Sequence, residues 1–181
     1  MGKKIVALNG SPRAKGNTSS LIEAFTRGAA EKGHSVTTFF LDGMNIGGCK
    51  SCYGGGKNPE SPCVQKDDMD KIYPVYRKAD VVVLASPLYF WTISGQLKST
   101  FDRLFAIAEG NPGYQNPVKD CILLMAAEGD EYEETLAYYN GLLNHLGWNN
   151  VGQILARGVA APGDIAGKPE LEEARILGAS L

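Results

Sequence analysis

The chain has 181 residues, 44% of them hydrophobic, which is enough for one sizeable core and too little for two ordinary domains, so a single domain over 1–181 is expected. A formal net charge of -2 with both signs mixed along the chain leaves no basic stripe, which argues against nucleic-acid or membrane partners, and no apolar run approaches a membrane span. The apolar run after Lys4 is too short for a signal peptide, so a cytoplasmic protein is expected, with its four cysteines as thiols, ligands or redox groups.

Ile5, Val6, Ala7 and Leu8 read as a buried parallel strand. The run breaks into Asn9-Gly10-Ser11-Pro12-Arg13, and Gly16, Asn17, Thr18 and Ser19 follow. Asn17, Thr18 and Ser19 can each cap a helix whose free amides and dipole attract an anion, while Gly10 and Gly16 allow a close backbone approach. Spacing excludes two commoner phosphate motifs: Asn17 follows Gly16 where a Walker loop needs lysine, and the three glycines of a dinucleotide fingerprint are missing. From Thr18 to Lys32, Leu21, Ile22, Phe25 and Ala29 share one helical face, and Gly33 suits a left-handed cap. Ser35 to Leu41 is β-branched and aromatic and reads as a second strand.

Met69 to Lys78 predicts a short amphipathic helix interrupted by Pro74. Val81 to Ala85 predicts a central strand ending at Ser86 and Pro87, after which Ser94 caps a helix carrying Leu97, Phe101, Leu104, Phe105 and Ala108. Cys121 to Ala127 predicts a fourth strand. Asp130 then precedes a helix with Glu131, Glu133 and Glu134 in its first turn and Gly147 at its end. Val151 to Leu155 makes a fifth strand, and Pro169 to Leu177 a closing helix.

Strands alternating with helices imply an α/β fold, a parallel sheet wound on both faces, with ligands bound beyond the carboxyl ends of the strands. Three loops lie at such ends: the opening segment, Ser86 to Thr92, and Ala126 to Asp130. Tyr89, Phe90 and Trp91 suit a planar ligand, although three consecutive side chains cannot all face one ring, so core or subunit contacts are the alternative for some of them. The alternative for the opening segment taken alone is an ordinary turn followed by a capped helix. Together, a phosphate loop and an aromatic loop point to a mononucleotide with a flat head, FMN.

Asn-Gly-Ser-Pro-Arg with Gly-Asn-Thr, then Ser-Pro-Leu-Tyr-Phe-Trp-Thr-Ile-Ser-Gly-Gln-Leu-Lys and Phe-Asp-Arg, resembles the NADPH-dependent FMN reductase family over residues 3 to 158, and especially its iron-sulfur flavoprotein branch. The resemblance implies a flavodoxin-like five-stranded parallel sheet of order 2-1-3-4-5. It implies that Ser11, Arg13, Gly16, Asn17, Thr18 and Ser19 hold the FMN phosphate. Pro87, Leu88, Tyr89, Phe90 and Trp91 would then frame the ring, with Ser94 and Gly95 close by. The flavin, rather than any side chain, would carry the chemistry, taking hydride from NAD(P)H and passing electrons to free flavin, a quinone or another small acceptor. The alternative is an electron carrier exchanging electrons with ferredoxin-type partners, and a third reading is a binding module without flavin. The resemblance also implies a homodimer or homotetramer. The loop Gly110 to Pro117 is a candidate wall over the open face of the ring.

Asp42 to Asp67 is a long loop with six glycines, two prolines and Cys49, Cys52 and Cys63. Loops beyond about 12–15 residues are often functional. In iron-sulfur flavoproteins the corresponding region carries four cysteines; here Cys49 and Cys52 match the first two and Cys63, before Lys66-Asp67-Asp68-Met69, the last, while the third position is Gly55. Three thiols leave a non-cysteine ligand, a three-iron cluster or no cluster, and the shortage favours a glycine-rich loop with reduced thiols over an iron-sulfur cluster or a zinc site. Cys121, inside a strand, is a poor substitute, and His34 and His145 read as surface or capping residues. A redox-active Cys49–Cys52 pair is a further reading, since Lys50 can lower a thiol pKa.

Overall fold

The structure is a computed structural model and describes residues 2–181. Five parallel strands, β1 (Lys4–Asn9), β2 (Ser35–Phe40), β3 (Val81–Pro87), β4 (Asp120–Ala126) and β5 (Asn149–Ala156), form one sheet of order β2-β1-β3-β4-β5. This is the flavodoxin-like order expected above, and it places the reversal of strand order between β1 and β3. The central strands are apolar throughout because helices cover both of their faces. Val82, Leu84, Leu123 and Met125 face one core layer, and Val81, Val83, Ile122 and Leu124 the other.

The helices are α1 (Asn17–Glu31), α2 (Met69–Lys78), α3 (Gly95–Arg103), α4 (Phe105–Ala108), α5 (Glu133–Leu146) and α6 (Pro169–Ala179). On one face α1 and α6 pack backbone to backbone, since a Cβ on Gly28 would collide with the Arg175 carbonyl and one on Gly178 with the Phe25 carbonyl. In α2, burial of Met69, Ile72, Tyr73 and Tyr76 keeps the helix continuous through Pro74.

Several expected boundaries move for identifiable reasons. The helix after β3 breaks at Leu104, because the Tyr73 hydroxyl donates to the Arg103 carbonyl at 3.1 Å. Around the break the turn tightens to i→i+3 bonds, Leu104 N to Phe101 O at 3.0 Å and Ile107 N to Leu104 O at 2.9 Å. Glu131 lies outside α5, its carboxylate accepting from the Asp130 amide at 3.2 Å, whereas Glu133 and Glu134 do occupy the first turn and Gly147 closes the helix at φ 64°. No helix among the described residues is long and apolar enough to cross a membrane.

Candidate FMN cleft and cysteine loop

Asn9, the last residue of β1, organises the first loop from below. Its side-chain Nδ2 donates to Ser19 Oγ at 3.0 Å and its Oδ1 accepts from the Ser11 N–H at 3.0 Å. Ser11 Oγ then accepts from the Arg13 amide at 3.1 Å, so the chain doubles back over the start of α1. Gly10 has to be glycine: a Cβ there would stand 2.5 Å from Ser94 Oγ and 2.7 Å from Leu97 Cβ, at the start of α3.

The helix cap differs from expectation. Gly16 is the N-cap, in extended conformation and without a side-chain cap bond, so Asn17, Thr18 and Ser19 occupy the first turn instead. Their amides have no intrahelical acceptor and form an electropositive end. Asn17, buried, clamps the loop after β5, donating to Ala161 O at 2.9 Å and accepting from Gly163 N at 3.1 Å and Ile165 N at 3.4 Å. Arg13 reaches the same loop through Ala160 O at 2.7 Å.

These contacts bring four strand ends around one cleft of about 420 Å3, lined by Ser11, Arg13, Gly16, Asn17 and Thr18 on one side and Pro87, Leu88 and Tyr89 on the other. Ala126, Ala127 and Glu128 after β4, and Val159 and Ala160 after β5, close it. The loop after β5 was missed by sequence reasoning, although Gly158, Pro162 and Gly163 marked a turn there. A larger apolar hollow of about 580 Å3 between α1 and β2 gathers none of the strand-end loops after β3, β4 or β5.

The remaining expected site residues lie outside this cleft. Ser19 turns its hydroxyl inward to Asn9 and the Arg13 carbonyl. Ser94 is fully buried, capping α3 by accepting from Leu97 N at 3.3 Å while its own amide donates to Ser86 Oγ at 2.8 Å, and Gly95 follows it into the helix. Phe90 and Trp91 form the tip of a two-residue turn between Tyr89 and Thr92, with φ of 46° and 59°, the sign pattern of a type I′ turn. That turn normally takes asparagine and glycine, so two aromatic residues there are strained, and the Thr135 hydroxyl pins the Trp91 carbonyl at 2.7 Å. The turn holds Phe90 93% exposed and Trp91 55% exposed beside a second hollow of about 470 Å3, which shares Leu88, Tyr89, Ala127 and Glu128 with the cleft. The loop Gly110 to Pro117 sits elsewhere: Tyr114 stacks on Phe105 with ring centroids 6.0 Å apart, on the flank of the cysteine loop.

The cysteine loop is held at both ends by Arg103, which sequence reasoning noticed only within Phe-Asp-Arg. Arg103 is 1% exposed, and its guanidinium donates to Asp67 at 2.6 and 3.1 Å and to the Gly47 carbonyl at 2.7 Å. Burial pushes the Asp67 carboxyl up, but Arg103 and the Met69 and Gly47 amides outweigh it and hold the group below its ordinary value. Asp68 adds a further tie, accepting from Asn45 N at 2.8 Å. Cys49 and Cys52 are exposed and Cys63 half-buried, while burial pushes the Cys121 thiol, deep in β4, up to about 12. Among the described residues no three His, Cys, Asp or Glu side chains already stand close enough to hold a metal ion. His34 serves structure, accepting from the Lys3 amide at 2.9 Å.

Residues 3–163 match the family model of the NADPH-dependent FMN reductases. The chain belongs to that family. Among its relatives is an iron-sulfur flavoprotein of Archaeoglobus fulgidus, 31% identical over 98% of this chain and 78% of that protein. Another, from Methanosarcina thermophila, is 32% identical over 74% of this chain and 69% of that one. In fold, the chain is similar to an NAD(P)H:quinone oxidoreductase from Methanothermobacter marburgensis, with a TM-score of 0.80 over 99% of this chain and 96% of the other at 23% identity. It is also similar to an FMN-dependent NADH-azoreductase from Bacillus anthracis, with a TM-score of 0.69 over 97% and 98% of the two chains at 14% identity. Membership of the NADPH-dependent FMN reductases makes this chain an FMN-dependent oxidoreductase.

Proposed function

We propose that the chain passes reducing equivalents from NAD(P)H to a small acceptor, such as a quinone or free flavin, through FMN held in the four-loop cleft. The observation that carries this reading is the pairing, across one cleft, of an unsatisfied helix N-terminus with the Pro87-Leu88-Tyr89 wall. A cleft of about 420 Å3 falls in the range of about 300–1,000 Å3 that small-molecule sites occupy.

At the α1 end, the first-turn amides, the Thr18 and Ser11 side chains and Arg13 would take the phosphate, whose charge suits the helix dipole. Asn17 acts one step removed by fixing the loop after β5 against α1. At the other end, Pro87, Leu88 and Tyr89 would lie along the ring. The chemistry FMN supplies when bound is hydride acceptance from a reduced nicotinamide and electron delivery to a second substrate. The protein's part would be to border the ring with Pro87, Leu88 and Tyr89, while the adjoining hollow bounded by Tyr89, Trp91 and Glu128 would admit nicotinamide and acceptor in turn. The exposed Phe90–Trp91 turn suits coverage by a second copy of the chain, in keeping with a homodimer or homotetramer in the cytoplasm.

Purified chain loaded with FMN should oxidise NADPH or NADH in the presence of a quinone, with initial rates fitting a ping-pong pattern. Bound FMN that is reduced by a ferredoxin but not by either nicotinamide would instead establish an electron carrier.

A further inference from the structure

Arg103 does more than close the cysteine loop. Its Nη1 and Nη2 are occupied by Asp67 and by the Gly47 and Gln65 carbonyls, at 2.6 to 3.5 Å, but Nε has no partner although the side chain is 1% exposed. A buried donor on a charged group is costly to leave without an acceptor, so this atom calls for an explanation. Arg103 borders a cavity of about 20 Å3 whose walls include Cys49, Cys52 and Cys63. That is space for a single oxygen-sized group, since a water needs about 10–15 Å3 by the same kind of measure.

Of the three sulfurs, that of Cys63 stands against Arg103. It lies within reach of the guanidinium and of the Tyr73 hydroxyl, yet leaves Nε unpartnered. The backbone holds it there: the Pro62 carbonyl accepts from Gly56 N at 2.9 Å, and the Cys63 carbonyl accepts from Lys66 Nζ at 3.1 Å, which brings a second cation near. The Glu109 carboxylate, also on the cavity wall, lies against Gly55 and takes no bond from Arg103. Cys63 is half-buried and open to small solutes, whereas Cys121 is sealed in β4. Reactive thiols occupy electropositive, partly exposed surroundings of this kind. Cys49 and Cys52 are the more exposed pair, and Cys49 accepts from the Ser51 amide at 3.4 Å.

We propose that Cys63 is a site of reversible oxidation by hydroperoxides, and that the small cavity receives the oxygen of its sulfenate, which accepts from Arg103 Nε. The sulfur attacks one oxygen of the hydroperoxide, so that an S–O bond forms as the O–O bond breaks. Sulfur gives up two electrons and the peroxide is reduced by them. The departing oxygen leaves as water or an alcohol, carrying the thiol proton, and the sulfenic acid then releases its own proton to solvent. The guanidinium gives the resulting anion a charge-assisted hydrogen bond that the sulfur alone does not take up. A cavity with room for one oxygen has none for the second oxygen of a sulfinate, so oxidation stops at its reversible stage. This inference is independent of the flavin reading, because none of the residues lining the FMN cleft takes part.

The test is brief treatment of the full chain, supplied with FMN and kept in the dark, with a limited amount of hydrogen peroxide that catalase then removes. Unfolding in dimedone labels each sulfenic acid, and peptide mass spectrometry locates the label. Exposure alone favours Cys49 and Cys52. The proposal expects label on Cys63 about tenfold or more above either, the factor that one charge-assisted hydrogen bond supplies, and no sulfinate there. Arg103→Lys keeps a cation but removes Nε, and should abolish the preference in a chain that circular dichroism shows to be folded. Label on Cys63 no greater than on Cys49 and Cys52, a disulfide or sulfinate in place of its sulfenate, or an undiminished preference in folded Arg103→Lys would overturn the proposal. The comparison of the three thiols in wild type decides the matter even where Arg103→Lys does not fold.

Discussion

Replacing Arg103 with methionine removes the guanidinium and keeps most of the side chain's volume. Its partner Asp67, 10% exposed, would be left with only the Met69 amide at 3.0 Å and the Gly47 amide at 3.2 Å. Breaking a buried pair by deleting one member costs about 3–5 kcal/mol, because an uncompensated charge stays behind. For a chain of this size each kcal/mol lowers Tm by about 2–4 °C, so the variant should melt about 6–20 °C below wild type. Asp67→Asn alone should also destabilise by stranding Arg103, whereas the double variant should recover part of the loss, since the two positions are directly coupled. The pH dependence has a defined sign. The folded-state pKa of Asp67 lies below its ordinary value of 3.8, so the pair's contribution is complete above that value and disappears as pH falls through the folded-state value. The gap between wild type and Arg103→Met should therefore narrow in acid. Chemical denaturation of the FMN-free chain, followed by circular dichroism across pH, measures all three quantities. A loss below about 1 kcal/mol at neutral pH, the range of an exposed pair, would refute the assignment of a buried clamp.

Other expectations follow from close approaches in the cleft and the helical layer. Gly10→Ala should cost about 1–3 kcal/mol through overpacking against Ser94 and Leu97 and should weaken FMN binding, as read by denaturation and flavin titration. Asn17→Ala strands the Gly163 and Ile165 amides and should cost about 1–3 kcal/mol, with the loop after β5 gaining hydrogen exchange. Gly178→Ala drives a methyl into the Phe25 carbonyl, so α6 should lose protection from exchange well before the sheet does. Phe90→Asn with Trp91→Gly relieves the strained turn and should raise Tm of the isolated chain, while sedimentation should show weaker self-association if the two rings contact a second copy.

The strands and the alternation of the fold were legible because burial on both faces leaves short unbroken apolar runs such as Val81–Ala85, whose length, β-branched residues and flanking Ser-Pro turn separate them from a buried helix segment. The bounds of α2 were read correctly in spite of Pro74, since its apolar stripe outweighs one missing hydrogen bond. What escaped reading depends on residues far apart in sequence. The break at Leu104 is caused by Tyr73, thirty-one positions earlier, and the contact of Gly28 with Arg175 and Gly178 with Phe25 joins the two ends of the chain. Phe90 and Trp91 read as ring-framing aromatics, whereas the structure places them at the tip of a tight turn outside the cleft; turn chemistry predicts Asn-Gly where this chain holds two aromatic residues at positive φ.

In the proposed site the N-terminal turn of α1 would hold a phosphate and the loop after β3 a flat ring. The most direct measurement is parallel titration of the flavin-free chain with FMN and with riboflavin, which differ only in the phosphate, by flavin fluorescence. Charge-assisted hydrogen bonds of about 1.5–3 kcal/mol each predict FMN binding at least tenfold tighter than riboflavin, with Thr18→Val and Arg13→Ala narrowing the gap. Equal affinity for the two flavins, or a gap unchanged by both substitutions, would contradict the account.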